Sequence, residues 1–361
     1  MTKTRFSKFL ITALALTAFL GGYLFTRDDF GHSKSRTGTI LDKFSYTQQP
    51  TTDAQQPTDE TKPLLITDRN VVSVTSSLNK GSLLYFEKNT GKLYEYDLNA
   101  KTEKVISDKI LSNFISAIWS PTKKEALDVF TSNTGLLFKY LDTTADKIVD
   151  LDPNIRSAAF SPDGNLIVYH RLDDTDAQNE GDITISQPDG QYQKKILATR
   201  LNNPIMSWPN TDSLAFKTLS QEIFLLTEDG KLTKFLDIRL GLEEKWSPGG
   251  SKLLFSALSD DQDEPSIKLW IKDLASKEEK ELIQASASKC VWSIDSINIY
   301  CAISKSPSVD EIYLINTDNG SSKLVAEPNI AIREMFLSTV EEHLLFTNTA
   351  DEKLYSIKIS D

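Results

Sequence analysis

The chain has 361 residues, of which 39% are apolar, 25% are charged and 9% are aromatic. This composition is typical of a folded protein with enough aromatic residues to fill a large core, so it excludes a mostly disordered chain. The formal net charge of −11 argues against nucleic acid as a partner, because phosphate recognition requires a basic face. A basic or neutral protein partner is expected instead.

The amino-terminal segment has the features of a membrane anchor. Lys3, Arg5 and Lys8 precede an uncharged run at residues 9–25, FLITALALTAFLGGYLF. As a helix this run would be about 25 Å long, which is short but sufficient to cross a bilayer. The sequence therefore predicts a basic cytoplasmic flank at residues 1–8 and a single transmembrane helix at residues 9–25, in the cell membrane.

A cleaved signal peptide is the alternative for this segment. Cleavage requires small residues one and three positions before the cut, whereas cuts after Ala18 or Gly21 place Leu16 or Phe19 at the third position. Both flanks of the run carry equal numbers of lysine and arginine. The predicted orientation, with the amino terminus inside and the body outside (periplasmic or on the cell surface), therefore rests on the α-amino charge.

Residues 26–62 are predicted to form a flexible linker. The triplet QQP at residues 48–50 is repeated at residues 55–57 among Thr, Asp and Ser, and so polar a segment buries too little apolar surface to fold. The alternative, that part of the linker docks on another surface, rests on a few apolar residues: Ile40, Leu41, Phe44 and Tyr46.

Five segments of the remaining chain share one pattern. In each, an apolar strand ends in an aromatic residue or Ser, and a tight turn leads into a second apolar strand. The segments are AIWSPTKKEALDVF, AAFSPDGNLIVY, MSWPNTDSLAF, EKWSPGGSKLLF and CVWSIDSINIY, at residues 117–130, 158–169, 206–216, 244–255 and 290–300. Each is followed by a third strand and a second turn. Two weaker copies flank the five, which makes seven repeats.

The repeats predict an all-β fold, a seven-bladed β-propeller, at residues 63–361. In the turns, Pro162 sets φ near −65° and Gly164 supplies a positive φ. From residue 64 to the end there are about 43 residues per repeat, within the range of a four-stranded blade. Because the last repeat has only three strands, we expect residues 63–67 to supply its outer strand and close the ring.

The sequence at these turns also resembles a known family. The segment FSPDG at residues 160–164, with the strand LIVY at residues 166–169, is similar to the repeat of TolB-type propellers, which also occurs in the propeller domains of dipeptidyl peptidases. The resemblance covers residues 64–361 and implies a periplasmic or cell-surface protein-binding module. The α/β domain of TolB and the hydrolase domain of the peptidases have no counterpart, so neither activity is implied.

The residues needed for common catalytic sites are scarce. The chain has three histidines, His32, His170 and His343, and no Gly-x-Ser-x-Gly elbow, so a nucleophile with an adjacent base is not predicted. Phosphate-binding loops and zinc-ligand spacings are missing as well. We therefore expect no catalysis, no cofactor and no metal site.

Candidate binding residues are charged and map to one side of the propeller. Aligned positions at or just before the innermost strands carry charges that should surround the channel mouth: Arg156, Glu243, Lys289, Arg333 and Glu334. The long loops between second and third strands belong to the same side. In two of them acidic residues cluster: Asp173, Asp174 and Asp176 in one, and Asp260, Asp261 and Asp263 in the other.

These acidic loops have two alternative explanations. Calcium prefers carboxylate oxygens, but the spacing matches no EF-hand loop. Solvated charged loops without a specific ligand are the plainer alternative. If the loops bind a partner, their charge would attract a cationic one.

The two cysteines, Cys290 and Cys301, are predicted to face each other. If Asp295 and Ser296 form a two-residue turn, the cysteines pair across the hairpin with their Cα atoms about 4.5–5.5 Å apart, a distance that a disulfide can bridge. The alternative is a pair of buried free thiols.

These observations predict a monomeric propeller that acts as a protein-binding or scaffold module of the cell envelope. The alternative is an envelope enzyme, hydrolase-like, with a polar and calcium-dependent pocket at the channel mouth. A purely architectural surface protein is a third possibility, which self-association would reveal.

Overall fold

The computed structural model describes residues 62–133, 135–172, 181–259 and 266–359, all within one unit of the chain, Gln56–Asp361. The described strands form seven four-stranded antiparallel sheets, the blades of the predicted propeller. Within those ranges no helix is long and apolar enough to cross a membrane. The predicted anchor at residues 9–25, its basic flank and all but the last residue of the linker lie outside the described residues.

The strands follow one another in chain order from the inside of each blade to the outside. The first strand, β1, is Leu64–Thr67. Blade 1 contains β2 to β5: Val71–Ser76, Ser82–Glu87, Leu93–Asp97 and Thr102–Ser107. Blade 2 contains β6 to β9: Phe114–Trp119, Glu125–Ser132, Gly135–Asp142 and Lys147–Asp150. Blade 3 contains β10 to β13: Ile155–Phe160, Ile167–Leu172, Gly181–Ser186 and Lys194–Thr199.

The remaining blades repeat this order. Blade 4 contains β14 to β17: Ile205–Asn210, Ser213–Lys217, Ile223–Leu226 and Leu232–Leu236. Blade 5 contains β18 to β21: Glu243–Trp246, Lys252–Leu258, Ile267–Asp273 and Glu279–Glu281. Blade 6 contains β22 to β25: Cys290–Trp292, Asn298–Ser306, Val309–Asn316 and Ser322–Ala326, preceded by a 3-10 turn at Ala287–Lys289. Blade 7 contains β26 to β28: Ile332–Leu337, His343–Asn348 and Leu354–Lys358.

The first strand closes the ring, as predicted. β1 pairs antiparallel with β28, with Leu64 opposite Ser356 and Leu65 opposite Tyr355, and supplies the fourth strand of blade 7. Ile66 of β1 is buried in a core shared with blade 1. The outer edge of blade 7 is thereby covered, and the two ends of the repeat array are joined.

The ring has two faces, which we name by their connections. On the loop face the first strand of each blade begins and the second strand ends. On the turn face lie the turns between first and second strands and between third and fourth strands. In blade 3, for example, Ile155 at the start of β10 lies opposite Arg171 near the end of β11, and Phe160 lies opposite Ile167 beside the turn.

The first strands of neighbouring blades pack against each other around the centre of the ring, as β2 does with β6 and β26. Tryptophans in several of these strands also bond the preceding blade. The indole N–H of Trp119 donates to the carbonyl of Ser73 (2.6 Å), that of Trp246 to Ser207 Oγ (3.2 Å) and that of Trp292 to the carbonyl of Lys245 (3.2 Å). The repeated tryptophan is therefore a structural residue.

The serine of the repeat stabilises the turn that follows it. Ser161 Oγ accepts a hydrogen bond from the N–H of Leu166 (3.0 Å) and donates one to Asp163 (2.6 Å). Ser247 Oγ accepts from the N–H of Lys252 (3.1 Å) in the same way. Gly250 has a φ of +66°, and a Cβ there would overlap the carbonyl of Pro209 in the preceding blade. The turn motif therefore stabilises both the hairpin and the contact between blades.

One interior position of the second strands shows how the blades vary. The side chain at this position faces the preceding blade and is at most 1% exposed. In every blade it lies opposite the residue at the same position of the third strand. In blades 1, 4, 5 and 7 both positions are aromatic and the rings stack. Blade 2 instead has Asp128 opposite Lys139, and blade 6 has Cys301 opposite Tyr313.

The cysteines lie directly opposite each other. Cys290 of β22 pairs with Cys301 of β23, their Cα atoms are 4.1 Å apart, and the sulfurs form a disulfide. The turn is wider than expected, because Ser293 donates to the carbonyl of Asn298 and four residues, rather than two, lie between them. The pairing is unaffected, since the same residues remain opposite each other along the hairpin.

Candidate binding face

Glu243, predicted at the channel mouth, begins β18 on the loop face. Its Oε2 accepts hydrogen bonds from Ser256 Oγ (3.2 Å), from the N–H of Ser288 (3.2 Å) and from the hydroxyl of Ser286. Because the serines come from blade 5 and from the turn that precedes blade 6, this carboxylate joins two blades. This carboxylate oxygen is already hydrogen-bonded within the protein.

A lysine that the sequence did not single out lies beside it. Lys245 Nζ donates to the carbonyls of Ser288 (3.0 Å) and Cys290 (2.6 Å). Burial lowers the pKa of Lys245, while Glu334 and Glu243 oppose that effect. The predicted residue Glu334 is itself exposed. The structure thus brings Glu243, Glu334 and Lys245 into one electrostatic group at the inner strands of blades 5 and 7.

Lys289 bonds an aspartate that was also not predicted. Its Nζ lies 2.8 Å from Asp310 Oδ2, and Asp310 is almost fully buried. Asp310 accepts further bonds from Ser304 Oγ (2.8 Å) and from the N–H of Ile332 at the start of blade 7 (2.6 Å). A buried carboxylate needs such partners, because an unpaired one would be strongly destabilising. Lys289 therefore helps to join blades 6 and 7.

Arg333 takes part in the contact between the last blade and the first. Its guanidinium lies 2.9 Å from Glu352 Oε1, and Lys88 Nζ of blade 1 lies 2.7 Å from the same oxygen. The hydrogen bond from Lys88 lowers the pKa of Glu352, and Arg333 adds to this effect. Asn70 also donates to Glu352, at 3.4 Å.

Arg156 is the predicted residue that stands apart from these groups. Its guanidinium donates to the carbonyls of Pro153 (2.9 Å) and Ile155 (3.2 Å). It thus folds back on the start of its own strand, in blade 3.

A buried ion pair between blades 4 and 5 was not predicted. Lys217 Nζ lies 2.5 Å from Glu244 Oε2, and both side chains are mostly buried. Burial raises the pKa of Glu244, while Lys217 opposes that rise. The sequence signal was the pair of acidic residues, Glu243 and Glu244, at the start of β18. On the loop face, adjacent blades are thus joined by charged groups.

The six aspartates of the acidic loops, Asp173, Asp174, Asp176, Asp260, Asp261 and Asp263, lie outside the described residues. The strand ends from which both loops leave are described and lie on the loop face. Leu172 pairs with Gly181, and Leu258 pairs with Ile267. Just inside the first pair, Asp182 lies 2.9 Å from Arg171 and accepts from Thr184 Oγ1 (2.6 Å), so this acidic residue is used structurally.

A polar cavity of about 680 Å³ lies where the ring closes, between β1 and blade 1. Arg69 crosses it, with its guanidinium 3.3 Å from Glu87 and 3.2 Å from Glu103 and stacked over the ring of Tyr94 at 4.5 Å. The carboxylates there are already occupied by Arg69 and, at Glu103, by the hydroxyl of Tyr85.

Among the described residues, the buried titratable groups without a hydrogen-bond partner include an aspartate and a histidine. Neither carboxylate oxygen of Asp128 and neither ring nitrogen of His170 has a hydrogen-bond partner. Burial raises the pKa of Asp128 to about 7, opposed by Lys139. Burial lowers the pKa of His170 to about 4, opposed by Asp182. Asp128 faces blade 1 and His170 lies on the side of blade 3 that packs against blade 4, so the two do not form one site.

Metal ligands are not gathered in the described ranges. Within residues 62–133, 135–172, 181–259 and 266–359, no three His, Cys, Asp or Glu side chains are placed to hold an ion. The acidic loops fall between these ranges, so the calcium alternative for them is not tested.

No protein-family model and no curated protein matches the sequence. Solved structures do match. An oligogalacturonate lyase in complex with manganese has a TM-score of 0.62 at 17% identity, over 81% of this chain and 90% of that one. An oligogalacturonate lyase from Vibrio parahaemolyticus has a TM-score of 0.60 at 12% identity, over 83% and 94% of the two chains. A chain of the Mitotic Checkpoint Complex has a TM-score of 0.59 at 10% identity, over 91% and 100%.

At these identities the similarity shows the propeller fold alone. Membership of the TolB-type family therefore stays a prediction, although the propeller fold that the resemblance implied is confirmed.

Proposed function

We propose that this protein is a membrane-anchored, extracytoplasmic propeller that binds a protein partner through its loop face and works as a binding or scaffold module. Residues 9–25 would hold it in the membrane, and residues 26–62 would give the ring freedom to reach its partner. The resemblance to TolB-type propellers points to the same placement.

One observation supports the loop face as the binding surface. The ends of both acidic loops, at Leu172 and Gly181 and at Leu258 and Ile267, are paired strand residues on that face. Loops on a rigid scaffold are where recognition usually occurs, and each of these carries at least three aspartates. An acidic surface attracts cationic partners at a rate that falls with salt.

The test is capture of the natural partner from its own envelope by the full chain. Two variants each replace three loop aspartates with Asn: Asp173, Asp174 and Asp176 in one, Asp260, Asp261 and Asp263 in the other. A matched control replaces three turn-face residues, Asp189, Asp212 and Asp229. Weaker capture by a loop variant, with capture by the control unchanged, is expected. Equal capture by all three would contradict the proposed face.

The membrane placement has its own test. Protease added outside intact cells should cut the linker near residues 48–62 and release the propeller, whereas a protected linker would overturn the orientation.

An envelope enzyme is the second candidate, favoured by the similarity to oligogalacturonate lyases, one of them solved with manganese. It predicts that oligogalacturonate is cleaved and that manganese or calcium raises the melting temperature, because a ligand that binds only the folded state stabilises it. The binding module predicts neither.

A further inference from the structure

Five large apolar side chains are exposed in one area of the loop face, at blades 4 and 5. They are Leu219, Ile238, Leu240, Leu258 and Ile267, each between 43% and 66% exposed. We call them the apolar patch. Single exposed apolar residues are common on protein surfaces, but a cluster is unusual and often marks an interaction site.

Backbone hydrogen bonds hold the segments of the patch together. The N–H of Leu258 donates to the carbonyl of Leu240 (2.8 Å), and Leu258 pairs with Ile267 across blade 5. The N–H of Arg239, between Ile238 and Leu240, donates to the carbonyl of Gln221 (3.1 Å) in the turn that contains Leu219. The patch is therefore built on fixed backbone from two blades.

The turn face offers a direct comparison. Its large exposed aliphatic residues include Leu78 in blade 1, Ile294 and Ile297 in blade 6, and Val340 in blade 7. These turns are also linked between blades, because the N–H of Ile294 donates to Glu341 beside Val340 (2.5 Å), and Thr339 Oγ1 donates to the carbonyl of Ser77 beside Leu78 (3.0 Å). Exposed apolar residues therefore do not distinguish the faces, and the choice of the loop face rests on the acidic connection between Leu258 and Ile267.

We propose that the apolar patch docks a short amphipathic segment of a partner protein, one that presents apolar side chains beside lysine or arginine. This inference rests on the proposed function and names the surface and the partner's chemistry. The site consists of the five described residues.

The size of the patch favours a short segment over a second copy of the propeller. Even a large aromatic side chain buries only about 150–250 Å². Five half-exposed aliphatic side chains therefore offer less than the roughly 800 Å² that each partner contributes to a standard interface. An amphipathic segment needs only a few apolar anchors on a groove or patch.

The charge in the sequence between Leu258 and Ile267 favours a basic segment. The sequence that joins Leu258 to Ile267 contains Asp260, Asp261, Asp263 and Glu264. Complementary charge next to an apolar contact raises the association rate and selects against acidic partners. An anionic membrane surface would be repelled by the same charges, so a protein segment is the better match.

The experiment uses the full chain in nanodiscs of zwitterionic lipid, with empty discs as the blank. The probe is a fluorescent synthetic helix of leucine and lysine, compared with a scrambled peptide of the same composition and with a leucine–glutamate helix. The patch variant combines Ile238→Ser and Leu240→Ser. The control variant combines Ile294→Ser and Ile297→Ser on the turn face, where the side chains are also exposed.

The leucine–lysine helix is expected to bind the wild type and the control equally and the patch variant about tenfold more weakly. The scrambled and acidic peptides are expected to bind least. Equal affinity for the two variants would overturn the proposal. The proposal would also be overturned if the patch variant kept peptide binding and instead lost the binding of phosphatidylglycerol vesicles or of a second copy of the chain.

The outcome for the natural partner separates this proposal from the proposed function. If the patch variant still captures that partner and only the loop-aspartate variants fail, the apolar patch is not the docking site and the proposed binding function stands. If the full chain captures no protein at all, both fail.

Discussion

The two faces of the ring are made by the same strands but stabilised in different ways. On the turn face one local device recurs, a buried serine that bonds the turn after it, as Ser161 and Ser247 do. On the loop face neighbouring blades are joined by different charged groups, such as Lys217 with Glu244 and Lys88 with Glu352. The serine motif of the turn face thus recurs between blades, whereas the charged links are particular to this chain and also occur on the turn face, as between Lys252 and Asp318 (2.6 Å).

This difference indicates which changes should affect stability and which should affect binding. Changes to the shared frame, meaning the strands and their interior rows, should alter stability. Changes to exposed residues of the loop face should alter binding while leaving the fold intact. The predictions below test this division, from the largest expected effect to the smallest.

Removal of the closing strand should have the largest effect. A chain that starts at Asn70 lacks β1, whereas a chain that starts at Thr61 keeps it. Loss of buried Ile66 alone should cost about 2–5 kcal/mol, and the lost pairing with β28 exposes an edge. Thermal and urea unfolding of the two chains measure the difference. Equal unfolding midpoints would show that ring closure contributes nothing.

Asp128 should make stability depend on pH. Its pKa rises from 3.8 to about 7 on folding, so the folded chain keeps a proton that the unfolded chain releases. The free energy of unfolding should therefore fall as pH rises from 4 to 7, by on the order of 4 kcal/mol at about 1.4 kcal/mol per pKa unit.

The measurement compares wild type with Asp128→Asn across this pH range. The variant should lose that part of the dependence and be the more stable protein at pH 8. Exposed Asp108, replaced in the same way, is the control and should leave the profile as it is. If the free energy of unfolding depended on pH in the same way for wild type and Asp128→Asn, the buried position would tolerate an ionised aspartate.

Loss of the disulfide should change the free energy of unfolding somewhat less than the change at Asp128 does. Replacing Cys290 and Cys301 with alanine removes a bridge between residues 11 positions apart, with an expected cost of about 2–3 kcal/mol. Urea unfolding with and without reductant measures it. If reductant lowers the stability of the wild type no more than that of the double variant, the bridge has no stabilising role.

Much of the frame could be predicted because its signals are local. The turn at Pro162 and Gly164 gave the repeat, and the missing strand of the last repeat identified residues 63–67 as the closing strand. The cysteine pairing was predicted by counting residues outward from the turn. The turn is longer than predicted, but the pairing is correct because the longer turn takes one residue from each strand. Unusual interior residues such as Asp128 were not recognised. The interior position that they share becomes apparent only when the strand pairings of the seven blades are aligned.

The loop face could be predicted only in part. Alignment placed Glu243, Lys289 and Arg333 at strand starts, but their partners lie on other blades and depend on the geometry of the closed ring. The apolar patch was missed for the same reason, since Leu219, Ile238 and Leu258 belong to three separate segments. The nearest signal in the sequence was a pair of aliphatic residues, Ile238 and Leu240, in a connection that reverses at Gly241.

The central claim, that the loop face binds the partner, is tested most directly by photo-crosslinking in the intact envelope. A benzophenone amino acid is placed at Leu240 on the loop face or at Ile294 on the turn face, positions that are 66% and 75% exposed. The account predicts one crosslinked protein from Leu240, reduced in the variant of Asp260, Asp261 and Asp263, and none from Ile294. A crosslinked partner obtained from Ile294 and not from Leu240 would contradict it.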